Sequence, residues 1–337
     1  MKNLTVLVPV YKGSTVLTTA LDSLVKQTDH DFIVLVGDDN KPGDKKEIEK
    51  TKEIVKKYTK KLSISYVKTP KNLGCQLHFQ FLVDRTKTEL LTFLAQDDIF
   101  SNDAISLIKR AFKDHPQVAA LTRPYFWFFD DIDHPIRYVP PINHDKNEVL
   151  SLSDGKKTIT AVFGTVGQIS GLAYRRKLIK ERFHEDIFPG HIYPFADILK
   201  RHKVIMLKNY ILAVGTKQSQ SRKISSVYSE SPTIQWLRMF DYVFKEDKYN
   251  NIRRLGYEHI LKNYEGLIQL KNYAPEGILE EEIKIMIQKR WQNVLNIKFW
   301  LYVIISLSLP RSILQKLTDW YKDTILSQSI PEIKFRY

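Results

Sequence analysis

The stretch FLAQDDIF (residues 93–100) places two neighbouring carboxylates, Asp97 and Asp98, directly after a short apolar run. A second apolar run, Phe32–Val36, ends in the same way at Asp38-Asp39. Short apolar runs of this kind predict strands that are buried on both faces of a sheet. Because ligands collect at the carboxyl ends of parallel strands, the two acidic pairs predict one site at that edge. Apposed carboxylates repel each other, so we also expect the pairs to share a cation.

Strand and helix patterns alternate outward from these two stretches. Strands are predicted at Leu4–Val8, Phe32–Val36, Leu62–Val67, Leu90–Leu94 and Val118–Leu121, with helices from Ser14 to about Gln27, after Asp44, over Gly74–Arg85 and over Asp103–Lys113. This alternation is typical of an α/β fold, a Rossmann-like and mostly parallel sheet flanked by helices. The turn residues of Asp130–Pro135 predict a hairpin turn rather than a metal site. Gly164–Tyr174 predicts a further strand region.

The composition limits the function classes. The chain has 337 residues with 52 Lys and Arg against 38 Asp and Glu, and a net charge of +14. Such an excess favours an anionic membrane surface or a phosphorylated ligand as partner. Nucleic acid is disfavoured, since no basic stripe is interleaved with aromatic residues. The single cysteine, Cys75, excludes an internal disulfide and favours a reducing, cytoplasmic location.

Three regions are predicted along the chain. Residues 1–215 form the α/β domain, the polar residues 216–232 form a flexible basic loop, and residues 233–337 form a helical C-terminal appendage. The apolar run Phe299–Leu309 is shorter than the roughly 20 residues that cross a bilayer. Lys298 and Arg311 flank it, so it is either packed on the first domain or lies as an interfacial helix on a membrane.

Five short motifs occur in a diagnostic order: VPVY at Val8–Tyr11, QTDHDF at Gln27–Phe32, VGDDN at Val36–Asn40, KNLG at Lys71–Gly74 and FLAQDDIF. Over roughly residues 3–215 this order resembles glycosyltransferase family 2. The resemblance implies a GT-A fold and inverting, hexosyltransferase-like transfer from a nucleoside-diphosphate sugar, with UDP or TDP favoured. It also implies Mg²⁺ or Mn²⁺ and a glycan or lipid-linked acceptor in cell-surface polysaccharide or glycoconjugate synthesis. A lipid-linked acceptor would place the enzyme peripherally on the inner face of the cell membrane.

The resemblance, together with the chemistry of the side chains, predicts a set of nucleotide-binding residues: Pro9, Val10, Tyr11, Asp39, Lys71, Gln96 and Arg222. The Asp39 carboxylate suits the imide N–H of a base, and the Tyr11 ring is available to stack. Lys71 would offset phosphate charge, and Gln96 would reach the ribose. Arg222 lies with Lys217 and Lys223 in the basic loop, which resembles a segment that folds over the diphosphate and excludes water.

Asp97 and Asp98 are the predicted metal residues. Family members usually carry Asp-x-Asp-Asp at this strand end, whereas this chain has Ala95-Gln96-Asp97-Asp98. Alignment on Ile99 makes Asp97 the metal-binding aspartate and Asp98 its neighbour. Carboxylate and phosphate oxygens are the ligands that Mg²⁺ and Mn²⁺ prefer, and the metal would neutralise the leaving diphosphate.

Inverting transfer also needs a base that takes the proton of the acceptor hydroxyl. In the family this is an acidic residue near the start of a helix, a region that corresponds to residues 184–197 here. His191, Asp197 and Asp186 are the three candidates, and Asp197 would alternatively pair with Arg201.

Two other classes remain as alternatives. A different nucleotide-using α/β enzyme is disfavoured, because neither Gly-x-Gly-x-x-Gly nor Gly-x-x-x-x-Gly-Lys-Ser/Thr follows the first strand. A non-catalytic nucleotide- or membrane-binding protein on the same fold is favoured only by Ala95, which stands where the family has its first aspartate.

Overall fold

A computed structural model describes residues 2–186, 188–216 and 228–337. Its strands, in chain order, are β1 (Leu4–Val10), β2 (Ile33–Asp38), β3 (Ile64–Lys68), β4 (Leu90–Phe93), β5 (Ile99–Phe100), β6 (Val118–Thr122), β7 (Tyr125–Phe128), β8 (Pro135–Val139), β9 (Glu148–Leu150), β10 (Ala173–Arg175), β11 (Lys203–Met206) and β12 (Leu212–Gly215). The described α-helices are α1 (Leu17–Val25), α2 (Lys45–Tyr58), α3 (Cys75–Arg85), α4 (Ala104–Asp114), α5 (Lys156–Phe163), α6 (Ile192–Arg201), α7 (Pro232–Val243), α8 (Asn250–Ile260), α9 (Glu265–Tyr273), α10 (Ile278–Lys289), α11 (Ile297–Ser308) and α12 (Arg311–Trp320).

The strands form two sheets. The larger sheet has eight strands in the order β3-β2-β1-β4-β10-β6-β11-β9, and the smaller has the order β5-β12-β7-β8. In the larger sheet β3, β2, β1 and β4 are parallel, and so are β6 and β11. β10 is antiparallel to both of its neighbours, and β9 is an antiparallel edge strand. The predicted mostly parallel sheet flanked by helices is confirmed.

Successive residues of the central strands point to opposite faces of the sheet. Leu7 of β1 and Phe93 of β4 pack with α3, α5 and α6 on one face. Val6 and Val8 of β1 and Leu90 of β4 pack with α1, α2 and α4 on the other face. These strands therefore carry apolar residues at every position, because both faces of the sheet are covered.

The smaller sheet confirms the hairpin and corrects one prediction. β7 and β8 pair antiparallel, with the turn at Asp130–Pro135 between them. The strand predicted over Gly164–Tyr174 is wrong for most of its length, because only Ala173–Arg175 is a strand. Gly164 instead ends α5, where its N–H bonds to the carbonyl of Thr160 at 3.0 Å.

The helical appendage packs against the α/β domain through its first two helices and through its last residues. Phe240 of α7 and Ile252 of α8 belong to the core that holds α5 and α6, whereas α9, α10 and α11 form a core of their own. At the end of the chain the Phe335 ring packs on Phe126 of β7, with 5.1 Å between ring centroids. Within the described residues no helix is both long enough and apolar enough to cross a membrane.

Candidate active site

The end of β1 is fixed by Gln96. The Tyr11 N–H donates to Gln96 Oε1 at 3.0 Å, and Gln96 Nε2 donates to the Tyr11 carbonyl at 3.2 Å. Gly13 leaves the space for this side chain, since a Cβ there would lie 1.9 Å from Gln96 Oε1. The prediction that Gln96 reaches a ribose is not supported in this conformation, because its amide is occupied by the Tyr11 peptide. Gln96 instead positions the strand end formed by Pro9, Val10 and Tyr11.

Asp39 holds the loop that leads into α3. One carboxylate oxygen accepts the Thr69 hydroxyl and the Leu73 N–H, both at 2.8 Å, and the other accepts the Asn72 amide and the Gly74 N–H, both at 2.9 Å. Four bonds fill the roughly four acceptor positions of a carboxylate. Burial raises the pKa of Asp39, while the Leu73 bond is the largest effect that lowers it. Both Asp39 oxygens are thus bound by the loop, and capture of a base imide by Asp39 stays a prediction.

Asp38 is bound internally as well. Its carboxylate accepts the Tyr66 hydroxyl at 2.7 Å and the Asn40 N–H at 2.8 Å. Burial, and then the Asp38 carboxylate, raise the pKa of Tyr66. Asn40 Oδ1 in turn accepts the Lys12 N–H at 2.7 Å. Protein donors serve both Asp38 and Asp39, so these bonds give no support to a shared cation at this first pair, and that expectation stays a prediction.

Asp98 lies behind the second strand end. Its carboxylate accepts the Ser170 hydroxyl at 2.6 Å, the Gly215 N–H at 3.1 Å and the Gln168 amide at 3.3 Å. The side chain is 1% exposed. Burial, and then the charge of Asp97, raise the pKa of Asp98 well above its ordinary range. A cation placed beside the pair would oppose both effects and favour the ionised form.

Arg123 is a buried charge that sequence reasoning missed. Its guanidinium donates to the carbonyls of Thr165, at 3.2 Å, and Gln168, at 2.7 Å. Burial lowers the pKa of Arg123 to about 10, and Asp98 acts in the opposite direction. The position of Arg123 directly after β6 was the available signal, since strand ends form the site in such sheets. Arg123 thus supports the segment that carries Gln168 beneath Asp98.

Asp97 differs from Asp98 because it is only partly buried. Its backbone carbonyl lies against Gly215, where an added Cβ would approach it to 2.4 Å. Gly215 ends β12, so the basic loop begins beside Asp97. The predictions for Lys217, Arg222 and Lys223 fall on residues outside those that the structure describes.

Lys71 is exposed on the loop that Asp39 holds. It stands between the bonded residues Thr69 and Asn72, so the fixed loop places its backbone at the rim of the strand ends. Within the described residues, no three His, Cys, Asp or Glu side chains are grouped closely enough to hold a metal ion by themselves. A metal at Asp97 would therefore need ligands from a substrate or water.

The three candidate bases have different surroundings. His191 is buried, and one ring nitrogen lies 2.8 Å from the Val166 carbonyl. Burial lowers the pKa of His191 to about 4. A ring enclosed in this way packs the core rather than meeting an acceptor, so the geometry argues against His191 as the base. Asp197 forms an ion pair with Arg201 on the same helix, as the alternative interpretation expected.

Asp186 lies in the loop before α6. One oxygen accepts the Tyr193 hydroxyl at 2.5 Å, and the other pairs with Arg238 at 2.6 Å. Gly190 folds this loop back, since a Cβ there would lie 2.3 Å from the Asp186 carbonyl and 2.6 Å from the Gln76 side chain. Gln76 belongs to the first turn of α3, so the Asp186 loop borders the loop that Asp39 holds.

The doubly covered, mostly parallel sheet with acidic residues after β2 and β4 defines the protein as one of GT-A fold. The family model described as Glycosyl transferase family 2 matches residues 5–183, and the chain belongs to that family. It is therefore a glycosyltransferase. Among curated proteins, none matches this sequence.

Solved structures share the fold at low sequence identity. TarS 1–349 from S. aureus in complex with UDP-GlcNAc aligns with a TM-score of 0.61 and 17% identity over 97% of this chain and 90% of that chain. A longer S. aureus TarS structure gives 0.55 and 17%, over 97% and 55%. The mannosyltransferase PcManGT from Pyrobaculum calidifontis, in complex with GDP-Man and Mn²⁺, gives 0.54 and 12%, over 97% and 86%. At these identities the likeness concerns the fold alone.

Proposed function

We propose that this glycosyltransferase moves a sugar from a nucleoside-diphosphate sugar to a hydroxyl of a glycan or lipid-linked acceptor, with inversion. The observation that carries the proposal is the difference between Asp97 and Asp98, the two aspartates that follow β4. Asp98 is buried and held by three donors, while Asp97 is partly exposed at the strand end that Gln96 ties to Tyr11. Structures of the same fold hold UDP-GlcNAc and GDP-Man, which supports a nucleotide sugar as donor.

The proposed metal ligand is Asp97, with Mg²⁺ or Mn²⁺ as the ion. The donor set fits such an ion, since these metals are often held by one or two carboxylates together with substrate phosphates and water. When bound, the ion would supply positive charge to the leaving diphosphate. Asp98 would act indirectly, because its own oxygens are committed to Ser170 and to Gly215, which lies against the Asp97 carbonyl.

The proposed nucleotide site lies between the ends of β1 and β2. The Tyr11 ring would stack on the base, and the two Gln96 bonds hold the Tyr11 backbone. Lys71 and, in the basic loop, Arg222 would offset phosphate charge. Asp39 and Gln96 would act indirectly, by shaping the two loops that border the nucleotide.

Asp186 is the base that the geometry supports best. It lies in the loop that Gly190 folds against Gln76 of α3, so it borders the proposed nucleotide site, and the Arg238 guanidinium holds one of its oxygens at 2.6 Å. The Tyr193 hydroxyl fixes the other oxygen. An acceptor hydroxyl that replaced the Tyr193 hydroxyl as the donor to Asp186 would then lie next to the loop before α6.

Calorimetric titration tests the proposal. UDP, TDP and GDP would each be titrated with and without Mn²⁺ into the wild type, Asp97→Asn and the control Asp114→Asn, which removes an exposed carboxylate at the end of α4. We expect one nucleotide to bind with Mn²⁺, and this binding to be lost in Asp97→Asn alone. Binding that ignores both Mn²⁺ and Asp97 would contradict the metal site. It would favour a non-catalytic nucleotide-binding protein, unless release of free nucleoside diphosphate from a nucleotide sugar is measured.

A further inference from the structure

Helix α11 exposes large apolar residues on the side that faces away from the protein core. Its buried positions are Phe299, Val303 and Ser306, whereas the exposed face carries large apolar residues at helical spacing: Ile297, Trp300, Leu301, Ile304 and Leu307. Ile297 is 88% exposed and Ile304 58%. A surface helix of a water-soluble domain normally presents charged and polar residues on that side. The outward side of α11 therefore suits an apolar neighbour rather than water.

The segments on both sides of α11 continue the same pattern. Trp291, Val294 and Leu295 are exposed before it. In and after α12 the exposed residues Ile313, Leu317, Trp320, Tyr321 and Ile325 recur at spacings of one helical turn, while Leu314 is buried. We call the whole exposed set the apolar outer face; its members are Trp291, Val294, Leu295, Ile297, Trp300, Leu301, Ile304, Leu307, Ile313, Leu317, Trp320, Tyr321 and Ile325. So many large apolar residues exposed along one segment of the chain mark an interaction site.

The outer face belongs to firmly packed helices. The Phe299 ring packs on Tyr264 with 5.4 Å between centroids, and the Tyr264 hydroxyl donates to Asn293 Oδ1 at 2.8 Å. Arg311 donates to the carbonyl of Lys271 at 3.0 Å and to that of Ala274 at 2.5 Å, which fastens the start of α12 to the end of α9. The exposure is therefore a property of the folded helices and not of a frayed end.

The charged residues around the apolar outer face indicate which kind of partner it binds. Residues 289–325, which span the apolar outer face, contain two acidic residues, Asp319 and Asp323, and six basic ones: Lys289, Arg290, Lys298, Arg311, Lys316 and Lys322. Cores of protein–protein interfaces are depleted of Lys, whereas Trp, Tyr and basic residues around an apolar face are typical of helices that lie in the headgroup region of a bilayer. We propose that the apolar outer face docks on the surface of an anionic lipid bilayer, with α11 and α12 lying in the interface.

The docking is independent of the sugar-transfer chemistry, so it is tested by binding alone. The full chain would be floated with vesicles of phosphatidylcholine and with vesicles that also contain phosphatidylglycerol. We expect binding to the anionic vesicles, with a loss of at least about tenfold in Ile304→Glu, because the substitution replaces an apolar side chain that the bilayer would bury with one that anionic lipid repels. Ile304 is exposed, so the substitution leaves the core packing intact.

A charge-matched pair of variants separates local from net charge. Lys298→Glu combined with Lys316→Glu should weaken binding to anionic vesicles, whereas Lys56→Glu combined with Lys57→Glu on α2 makes the same change in net charge at another exposed surface and should weaken it less. Equal losses in the two double variants would overturn the proposal. So would wild-type binding by Ile304→Glu, or a dimer in sedimentation that Ile304→Glu dissociates while vesicle binding is absent, because a second copy would then cover the face.

Discussion

Gln96 and Tyr11, 85 residues apart in sequence, are joined by two hydrogen bonds that run in opposite directions between one side-chain amide and one peptide backbone. The bonds connect the end of β1 with the residue before Asp97. The proposed nucleotide site and the proposed metal site therefore share one polar link. A substitution of Gln96 should therefore alter the structure of both proposed sites.

Gln96→Leu should lower the free energy of unfolding by about 2 kcal/mol, because it leaves the Tyr11 N–H and carbonyl without their partner in a largely buried place. It should also weaken nucleotide binding, although Gln96 would touch no ligand. Urea unfolding and calorimetry measure the two effects. Gln117→Leu alters an exposed glutamine and serves as the control. Equal stability of the two variants would show that the link carries little energy.

Gly13→Ala should also disturb the two hydrogen bonds between Gln96 and Tyr11, because Gly13 lies against the Gln96 amide. The added Cβ would stand 1.9 Å from Gln96 Oε1, so the amide has to leave its position. In a double-mutant cycle, Gly13→Ala should cost clearly less in a Gln96→Ala background than in the wild type. Additive free energies of unfolding would mean that the clash is relieved without moving Gln96.

Asp186→Asn should reduce kcat by about 10²–10⁴-fold if Asp186 is the base, since this is what one positioned base contributes. Asp197→Asn should change kcat by less than about tenfold, because Asp197 lies within α6, where it pairs with Arg201 one turn further along, and not in the loop that borders α3. Rates of nucleoside-diphosphate release measure this, with nucleotide binding as a check on folding. A large loss in Asp197→Asn with a small one in Asp186→Asn would reverse the assignment.

His191→Gln separates a packing role from a catalytic one. The folded-state pKa of His191 is lowered to about 4 from its ordinary value of 6.5, so the wild type should lose stability as pH falls from 6.5 towards 4, when the unfolded chain takes up the proton first. His191→Gln should lose less over that range in urea unfolding. A wild-type pH profile in the variant, together with a large loss of kcat, would restore His191 as a base candidate.

Glu282 should make stability depend on pH in the opposite direction. This buried carboxylate accepts the Thr233 hydroxyl at 2.5 Å and also the Ser231 hydroxyl. Burial raises its pKa above the ordinary value of 4.5, so its neutral form is favoured in the fold. The related stability is complete below 4.5 and is lost as pH rises through the raised pKa.

Glu282→Gln remains neutral, so its stability relative to the wild type should increase as pH rises above 4.5. Denaturant unfolding at a series of pH values measures the difference. Glu276→Gln, which removes an exposed carboxylate, should run parallel to the wild type. A constant offset between Glu282→Gln and the wild type across this range would exclude the linkage.

The sequence predicted the elements of the α/β domain well, because each depends on a local pattern. β1, β2 and β4 begin and end within a few residues of the apolar runs that predicted them. Ser14 shows where local reasoning fails: the first helix was expected to begin there, but α1 begins at Leu17, and the Ser14 hydroxyl donates to Glu47 at 3.0 Å.

The partners of the polar site residues could not be predicted in the same way. Asp39 is served by residues 30 to 35 positions away, and Asp98 by Ser170 and Gly215, which lie 72 and 117 positions away. An isolated carboxylate in a sequence gives no sign of whether protein donors or a ligand will occupy it. The strand-end rule led to the candidate site, whereas the difference in burial and hydrogen bonding between Asp97 and Asp98 could be seen only in the tertiary structure.

The last residues of the chain pack on the α/β domain, and this limits how the helical appendage can move relative to that domain. Besides the contact of Phe335 with Phe126, the carbonyl of Arg336 accepts the Asn102 N–H at 2.8 Å, and the Lys26 ammonium lies 3.7 Å from the centre of the Tyr337 ring. The appendage is thus anchored at α7 and again at the last three residues. An element clamped at two points has no free hinge. Whatever surface receives α11 and α12 should consequently lie at one fixed distance and one fixed angle from the strand ends that form the candidate site.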